Sequence, residues 1–393
     1  MLKKRHFWRT EGINELTEIY ASQFLRSLAV SLTGIFVPIF LYKSGFSIAD
    51  ICLLFLAWFI SRFLWAYVAA KIIASVGPKH GIALSVILQI IYLFFILTIT
   101  SLHTPLWMVG IIGSFAYCLF LMSFNVDFSK VKHVEHGGKE LSFVSICERV
   151  GAVAGPIIGG LIASYYSPSY TIMLAIVVLF LSLIPIFMSA EPIKTKQKIT
   201  LKGFPFRRHK RDFSVGAAFQ LENTISLNIW PLFLGVFVLL SNTYTYLGIF
   251  ASVSTLVGLL VVYLIGHLID DSKGKLLLNI GATSNAVVHL VRPFVATVGQ
   301  AFGINIINEP VTAMYRLPFL KGMFDASDDV PGYRITYYMI LEWYVAAINV
   351  IFWAYLYFAC FMWTDFRALQ SAFIIAAIMS LLIMKQRFVT LKG

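Results

Sequence analysis

The sequence predicts an all-α polytopic membrane protein of twelve transmembrane helices, arranged as two six-helix halves. Three observations predict it. Hydrophobic residues make up 59% of the chain and charged residues only 13%, with a mean hydropathy of +0.81. A soluble domain needs roughly a quarter of its residues charged to cover its surface, so this outer surface is built to meet lipid. Apolar runs long enough to cross a bilayer recur twelve times. Basic residues fill alternate gaps between those runs, as expected when alternate loops face the cytoplasm.

The first run, 18–42, follows a basic and then acidic amphipathic stretch with no small-residue cleavage site, so it reads as a retained span rather than a signal peptide. Runs at 46–73, 81–101, 105–128, 141–165 and 169–190 complete a first half. The loop EPIKTKQKITLKGFPFRRHKRD then divides the chain. Beyond it come runs at 213–240, 244–269, 275–298, 300–320, 334–361 and 366–385, of which 213–240 and 300–320 are the most polar. The expected organisation is a half over 1–190, a basic cytoplasmic loop over 191–212 and a half over 213–393. A weak repeat agrees: VPIFLY at 37–42 in span one is echoed by WPLFLG at 230–235 in span seven.

Charge fixes the expected orientation. Lys3, Lys4, Arg5 and Arg9 precede span one, and Lys71 and Lys79 follow span two. Lys130, Lys132 and Lys139 follow span four, and the central loop carries a dense run from Lys194 to Arg211. The intervening gaps, among them TSLHTP, SYYSPSY and SNTYTY, hold almost no positive charge. Both termini are therefore expected in the cytoplasm, with the protein in a bacterial-type inner membrane. The net charge of +12 does not indicate nucleic-acid binding, because the basic residues are confined to short gaps. Cys52, Cys118, Cys147 and Cys360 each lie within an apolar run without metal or CxxC spacing and read as small buried hydrophobes.

Three short motifs carry more than composition. Span five contains G-A-V-A-G-P-I-I-G-G, in which Gly151, Gly155 and Gly159 recur every fourth residue and share a helix face with room for a close neighbour. Pro156 removes a helix hydrogen bond there and permits a bend, and Gly160 follows at the end of the motif. The loop after span eight reads G-H-L-I-D-D-S-K-G-K, with Gly266, Asp270, Asp271 and Gly274. Its counterpart after span two, from Ala70 to His80, keeps Gly77 and Lys79 but has Ala70 and Ala74 where the later loop carries Gly and Asp. These motifs and the layout resemble the major facilitator superfamily over nearly the whole chain. The span-five segment is similar to the signature of that family's antiporters, and the loop after span eight to its G-x-L-x-D-x-x-G-[RK] turn. The resemblance implies alternating access, with the acidic loop residues serving as a conformational latch. It departs from the family's drug exporters in one respect: span four has no basic residue before Lys130.

Ionisable residues inside a span are expensive unless they face a cavity or a partner, and so are candidates for function. Glu222 stands nine residues into span seven, roughly 14 Å deep in a core about 30 Å thick. Gln220 and Asn223 flank it. Glu309 lies in the run N-I-I-N-E-P of span ten beside Asn308, where Pro310 is expected to break the helix and free a carbonyl. Arg26 in span one is about as deep as Glu222 and is suited either to pair with it or to bind an anionic group. Glu148 and Glu342 follow the basic residues Lys139 and Arg334 at matching distances in spans five and eleven. They are expected at similar depths on the central pathway, unless Glu148 instead balances Arg149 or Arg62. Arg62, Arg292 and Arg316 read as snorkelling to the interface. His267 and His289 have no partner at metal spacing. DASDD at 325–329 reads as a solvated loop.

The expected function is secondary active transport of a small, partly apolar organic solute, by proton-coupled export. Glu222 and Glu309 would exchange protons and substrate, with membrane lipid as surroundings and a monomer as the working unit. No cofactor or metal is called for, no GxxxxGK[ST] segment offers direct ATP coupling, and no catalytic constellation points to an enzyme. Uptake symport of a metabolite, lipid flipping and a non-transporting receptor or scaffold are the alternatives.

Overall fold

The structure is a computed structural model that describes residues 15–131, 137–186, 188, 199–268, 274–328, 330 and 332–386. Among these there are helices and no strand. Span one is Glu15–Thr33 continued by Val37–Lys43, the break falling at Gly34 just before Pro38 in the first turn of the second segment. Span two is Ile48–Val76. It starts at Ser47, whose hydroxyl accepts from the Asp50 N–H while the Asp50 carboxylate accepts from the Ser47 N–H. This reciprocal cap satisfies two otherwise orphaned donors. The helix stops at Gly77, where φ is +95°, a conformation only glycine adopts freely. Span three follows at once as Pro78–Leu97, then span four Leu106–Val131, span five Gly137–Tyr165 and span six Pro168–Ile186.

The second half repeats the pattern: span eight Thr243–Leu268, span nine Gly274–Val291, span ten Val298–Asp328, span eleven Arg334–Met362 and span twelve Asp365–Ile383. Span seven differs from expectation. It starts at Phe206, taking in the basic end of the central loop, and runs Phe206–Thr224 and Trp230–Phe233 with wider π-helical turns at Ile225–Ile229 and Leu234–Val238. Span ten also runs further than expected, so that DASDD is helical through Asp328 rather than looped. Pro310 lies inside that continuous helix and does not break it. What it does is withhold one N–H, so the carbonyl of Ile306 four residues earlier has no helical donor.

Among the described residues, ten helices are long and apolar enough to cross a membrane. Spans nine and ten are not among them, because asparagine, histidine, glutamate and arginine replace apolar residues along them. Leu64, Ile184, Leu260, Ile351 and Phe358 present 58–70% of their surface outward, the apolar exterior that a bilayer would cover.

Helix packing shows the two-fold arrangement directly. In the first half, span one packs on five and six, span four on two and three, and span three on six. Adding six to each number gives the packing of the second half: seven on eleven and twelve, ten on eight and nine, and nine on twelve. The halves meet through span two on span eleven and span five on span eight. They also meet at the end of the bundle holding Lys43, where the Lys43 ammonium donates to the Thr243 hydroxyl at 3.0 Å and Phe36 meets Tyr244 edge-on.

Candidate functional site

The span-five glycines set the geometry between spans one, five and eight. A Cβ on Gly151, Gly155 or Gly159 would strike Phe24 and Leu28, Ser31, or Leu32 respectively, so that face is filled by span one. The Ser27 hydroxyl donates to the Glu148 carbonyl at 2.6 Å and fixes the register of the pair. The opposite face meets span eight. Gly160 lies against the Tyr244 carbonyl, and Gly248 against the Pro156 carbonyl. The Ile157 N–H donates to the Ser252 hydroxyl at 3.0 Å across this contact, and the Thr245 hydroxyl donates to that of Ser164 at 2.8 Å. Gly248 has no glycine-rich neighbourhood in the sequence to announce it.

Ion pairs cross from one half to the other. Arg62 on span two donates through Nε to Glu342 on span eleven at 2.5 Å, with both side chains 3% exposed. Arg149 on span five donates to Glu309 on span ten at 2.9 Å, over the bare surface of Gly258. Arg62 is therefore not snorkelling to an interface: it is 2% exposed and stands near the Tyr117 ring at 5.2 Å. The packing of span eleven on span two turns it inward, toward a carboxylate 280 residues away. Glu148 does not pair with Arg62. It interacts electrostatically with Arg316, Arg26 and Arg149.

A second polar cluster lies wholly within the second half. Glu222 is 2% exposed and is held by His289 Nε2 at 2.8 Å, the Tyr315 hydroxyl at 2.6 Å and the Ser226 hydroxyl at 2.9 Å. Arg292 donates to Ser226 at 3.0 Å and to the Asn308 side-chain oxygen at 2.9 Å, and its guanidinium stands 5.0 Å from the Trp230 ring. Arg292 is 1% exposed, so it too is a buried group and not a snorkelling one. The Trp230 indole N–H reaches Asn305 at 3.2 Å. The first π-turn of span seven begins just past Glu222 and contains Ser226, the kind of irregularity that often accompanies functional positions in helices.

The remaining expected residues fall as follows. Arg26 pairs with no part of the Glu222 cluster; its guanidinium carbon lies 3.2 Å above the centre of the Phe120 ring. Asn223 is half-buried with no hydrogen bond from its side chain among the described residues. Gly266 lies in the last turns of span eight, and Gly274 opens span nine. Asp270 and Asp271 lie outside the described residues. Beside Gly274, the Lys275 ammonium donates to the Met384 and Gln386 carbonyls at 2.7 and 2.6 Å, closing the end of span twelve as a cation does at a helix C-terminus. Sequence reasoning gave His289 no role and did not single out Tyr315, which with His289 bonds Glu222, or Asn285, whose side chain donates to the Tyr315 hydroxyl at 3.3 Å. The polarity of spans nine and ten, which fall short of a membrane-crossing composition, was the available signal.

The family profile described as Major Facilitator Superfamily matches residues 19–307. The chain belongs to this superfamily. No curated protein matches it in sequence. Among solved structures, the superfamily transporter FucP in its outward conformation superposes with a TM-score of 0.68 at 14% identity, covering 95% of this chain and 97% of that one. The nucleoside transporter NupG gives 0.64 at 14% identity over 95% and 98%. A bacterial homologue of the iron transporter ferroportin gives 0.67 at 13% identity over 95% and 98%. At these identities the likeness establishes the fold. Arg62, Arg149, Glu309 and Glu342 lie where the two halves of this fold meet.

Proposed function

We propose that this superfamily member is a proton-coupled secondary transporter that moves a small organic solute between its halves by alternating access. The observation that carries this reading is the pair of Arg–Glu bridges joining one half to the other, Arg62–Glu342 and Arg149–Glu309. Rocking the halves apart at this depth pulls each carboxylate away from its arginine. A carboxylate left alone in an apolar interior is neutralised by a proton, so conformational change and proton uptake become one event. Residues 1–190 and 213–393 are the two moving bodies, and 191–212 is the loop between them. The Lys43 end faces outward, and the loops carrying Lys71, Lys79 and the central basic run face the cytoplasm.

In this reading Glu309 and Glu342 carry the coupling protons. Glu222, tied by its whole hydrogen-bond set to its own half, holds spans seven, nine and ten in register. Outward movement in exchange for protons is the direction that the span-five glycine signature implies. Flux in proteoliposomes under an imposed pH gradient tests it: solute should leave the compartment as protons enter. Glu342→Gln and Glu309→Gln should each abolish the response to the gradient while leaving solute exchange measurable. Gradient-driven flux unchanged in both variants would sink the coupling scheme, and flux in the direction of proton entry would make the protein a symporter, like the structurally similar E. coli fucose:proton symporter.

A further inference from the structure

Between the halves, at the depth of the crossing ion pairs, Arg26, Arg62, Arg149 and Arg316 stand against Glu148, Glu309 and Glu342. Arg62 and Arg149 are matched by Glu342 and Glu309. What remains is Glu148 with two arginines, a surplus of one positive charge. Arg26 and Arg316 are both half-buried, and both interact electrostatically with Glu148. Yet among the described residues neither guanidinium makes an ion pair or a hydrogen bond, and nor does the Glu148 carboxylate.

The placement of these three side chains is fixed. Arg26 is held over Phe120, its guanidinium carbon 3.2 Å from the ring centre. Arg316 follows Glu309 by seven residues, two helical turns, and so lies on the same face of span ten. The Ser27–Glu148 bond and the close contact at Gly151 pin span one to span five beside them. A guanidinium offers five N–H donors in a planar fork that fits the oxygens of a carboxylate or phosphate. Two such forks left unfilled within a membrane protein are unfavourable unless something arrives to fill them.

We propose that Arg26 and Arg316 form an oxyanion subsite, and that the transported solute is an organic anion whose carboxylate or phosphate head is shared between them. Its body extends toward Tyr117 and Trp58, two half-buried rings 6.2 Å apart. The inference rests on the interface between the halves being the transport pathway. A singly charged head cancels the surplus; a neutral or cationic solute leaves it uncancelled.

The test uses the full chain in phosphatidylcholine nanodiscs, with its melting temperature titrated against benzoate and phenyl phosphate and against their neutral counterparts benzamide and phenol. The acids should stabilise and the neutral compounds should not. Arg26→Gln and Arg316→Gln should each weaken the effect at least about tenfold, the 1.4 kcal/mol that one missing charged contact readily supplies. The Lys variants, which keep the charge and lose the fork, should fall between. If the Gln variants fail to fold, phenylglyoxal modification of Arg26 and Arg316 in the native chain, mapped by mass spectrometry, should be slowed by the acids alone.

Replacing the lipid with phosphatidylglycerol separates two sources of the same chemistry. If the anionic lipid removes the effect of phenyl phosphate in an Arg26-dependent way, a lipid headgroup fills the subsite; if phenyl phosphate still acts, a soluble anion does. Stabilisation by benzamide equal to that by benzoate, no stabilisation by either acid, or an acid effect that survives both Gln variants would overturn the subsite. Arg26-dependent anion binding without gradient-driven flux would leave the subsite standing and overturn the transport scheme instead.

Discussion

At the scale of single residues, each buried charge behaves according to what it is tied to. Arg62 and Glu342 are both 3% exposed in the side chain and come from opposite halves. Removing one partner leaves the other charged and dry, which costs about 3–5 kcal/mol. Arg62→Met alone should therefore lower the melting temperature of the purified protein sharply, and Arg62→Met with Glu342→Leu should recover most of the loss. Recovery of stability without recovery of gradient-driven flux would separate the structural from the coupling role of the pair. Glu222 behaves differently. Three donors converge on its carboxylate from Ser226, His289 and Tyr315. Glu222→Gln presents an amide to groups that all donate, and hydrogen bonds to a charged group are worth about 1.5–3 kcal/mol each. The expected outcome is a thermal destabilisation of the protein, with the proton dependence of any residual flux unchanged.

Among the helices, spans five and seven depart most from regular structure in ways that set the site. Span five is smooth on two faces, one for span one and one for span eight. Gly160→Val or Gly248→Val would wedge the second contact open, and overpacking of this kind costs about 1–3 kcal/mol. Flux should fall in both variants, and a cysteine placed at Thr245 should label faster than in the parent. Gly299→Ala, at a position with nothing within 4 Å, should change neither and serves as the control. Span seven carries one extra residue in each π-turn. Leu227 in the first of these is 51% exposed, so its deletion removes little packing. It would regularise the helix while keeping Trp230 in phase with Glu222, because the wide turn already absorbs the extra residue, and the expected result is a folded protein that keeps the Trp230–Asn305 contact and its tryptophan fluorescence, with the Ser226–Glu222 bond lost.

For the whole molecule, the two halves are joined at the Lys43 end by groups that must separate if access alternates. Among them are Cys52 on span two and Cys360 on span eleven, free cysteines on two helices that pack against each other. Mild oxidation with copper phenanthroline should join these native cysteines and arrest flux, and dithiothreitol should restore it. Cys52→Ser should be indifferent to the oxidant. Arrest of the Cys52→Ser variant to the same extent would show that the halves are not being locked through this pair.

The sequence by itself determined the membrane class, the number of spans and their division into two sets of six. Those properties follow from the length and spacing of apolar runs, which are local quantities. It also marked Glu148, Glu222, Glu309, Glu342 and Arg26, because a charge inside an apolar run is visible without a structure. The tertiary fold alone decided which charges meet. Arg62 and Arg292 looked free to reach an interface until helix packing turned them inward, His289 looked solitary until span nine came to lie against span seven, and Glu222 and Arg26 prove to sit in different clusters. Partners separated by 67 to 280 residues are brought together by helix rotation and crossing, which depend on every side chain along both helices. No window of sequence contains that information.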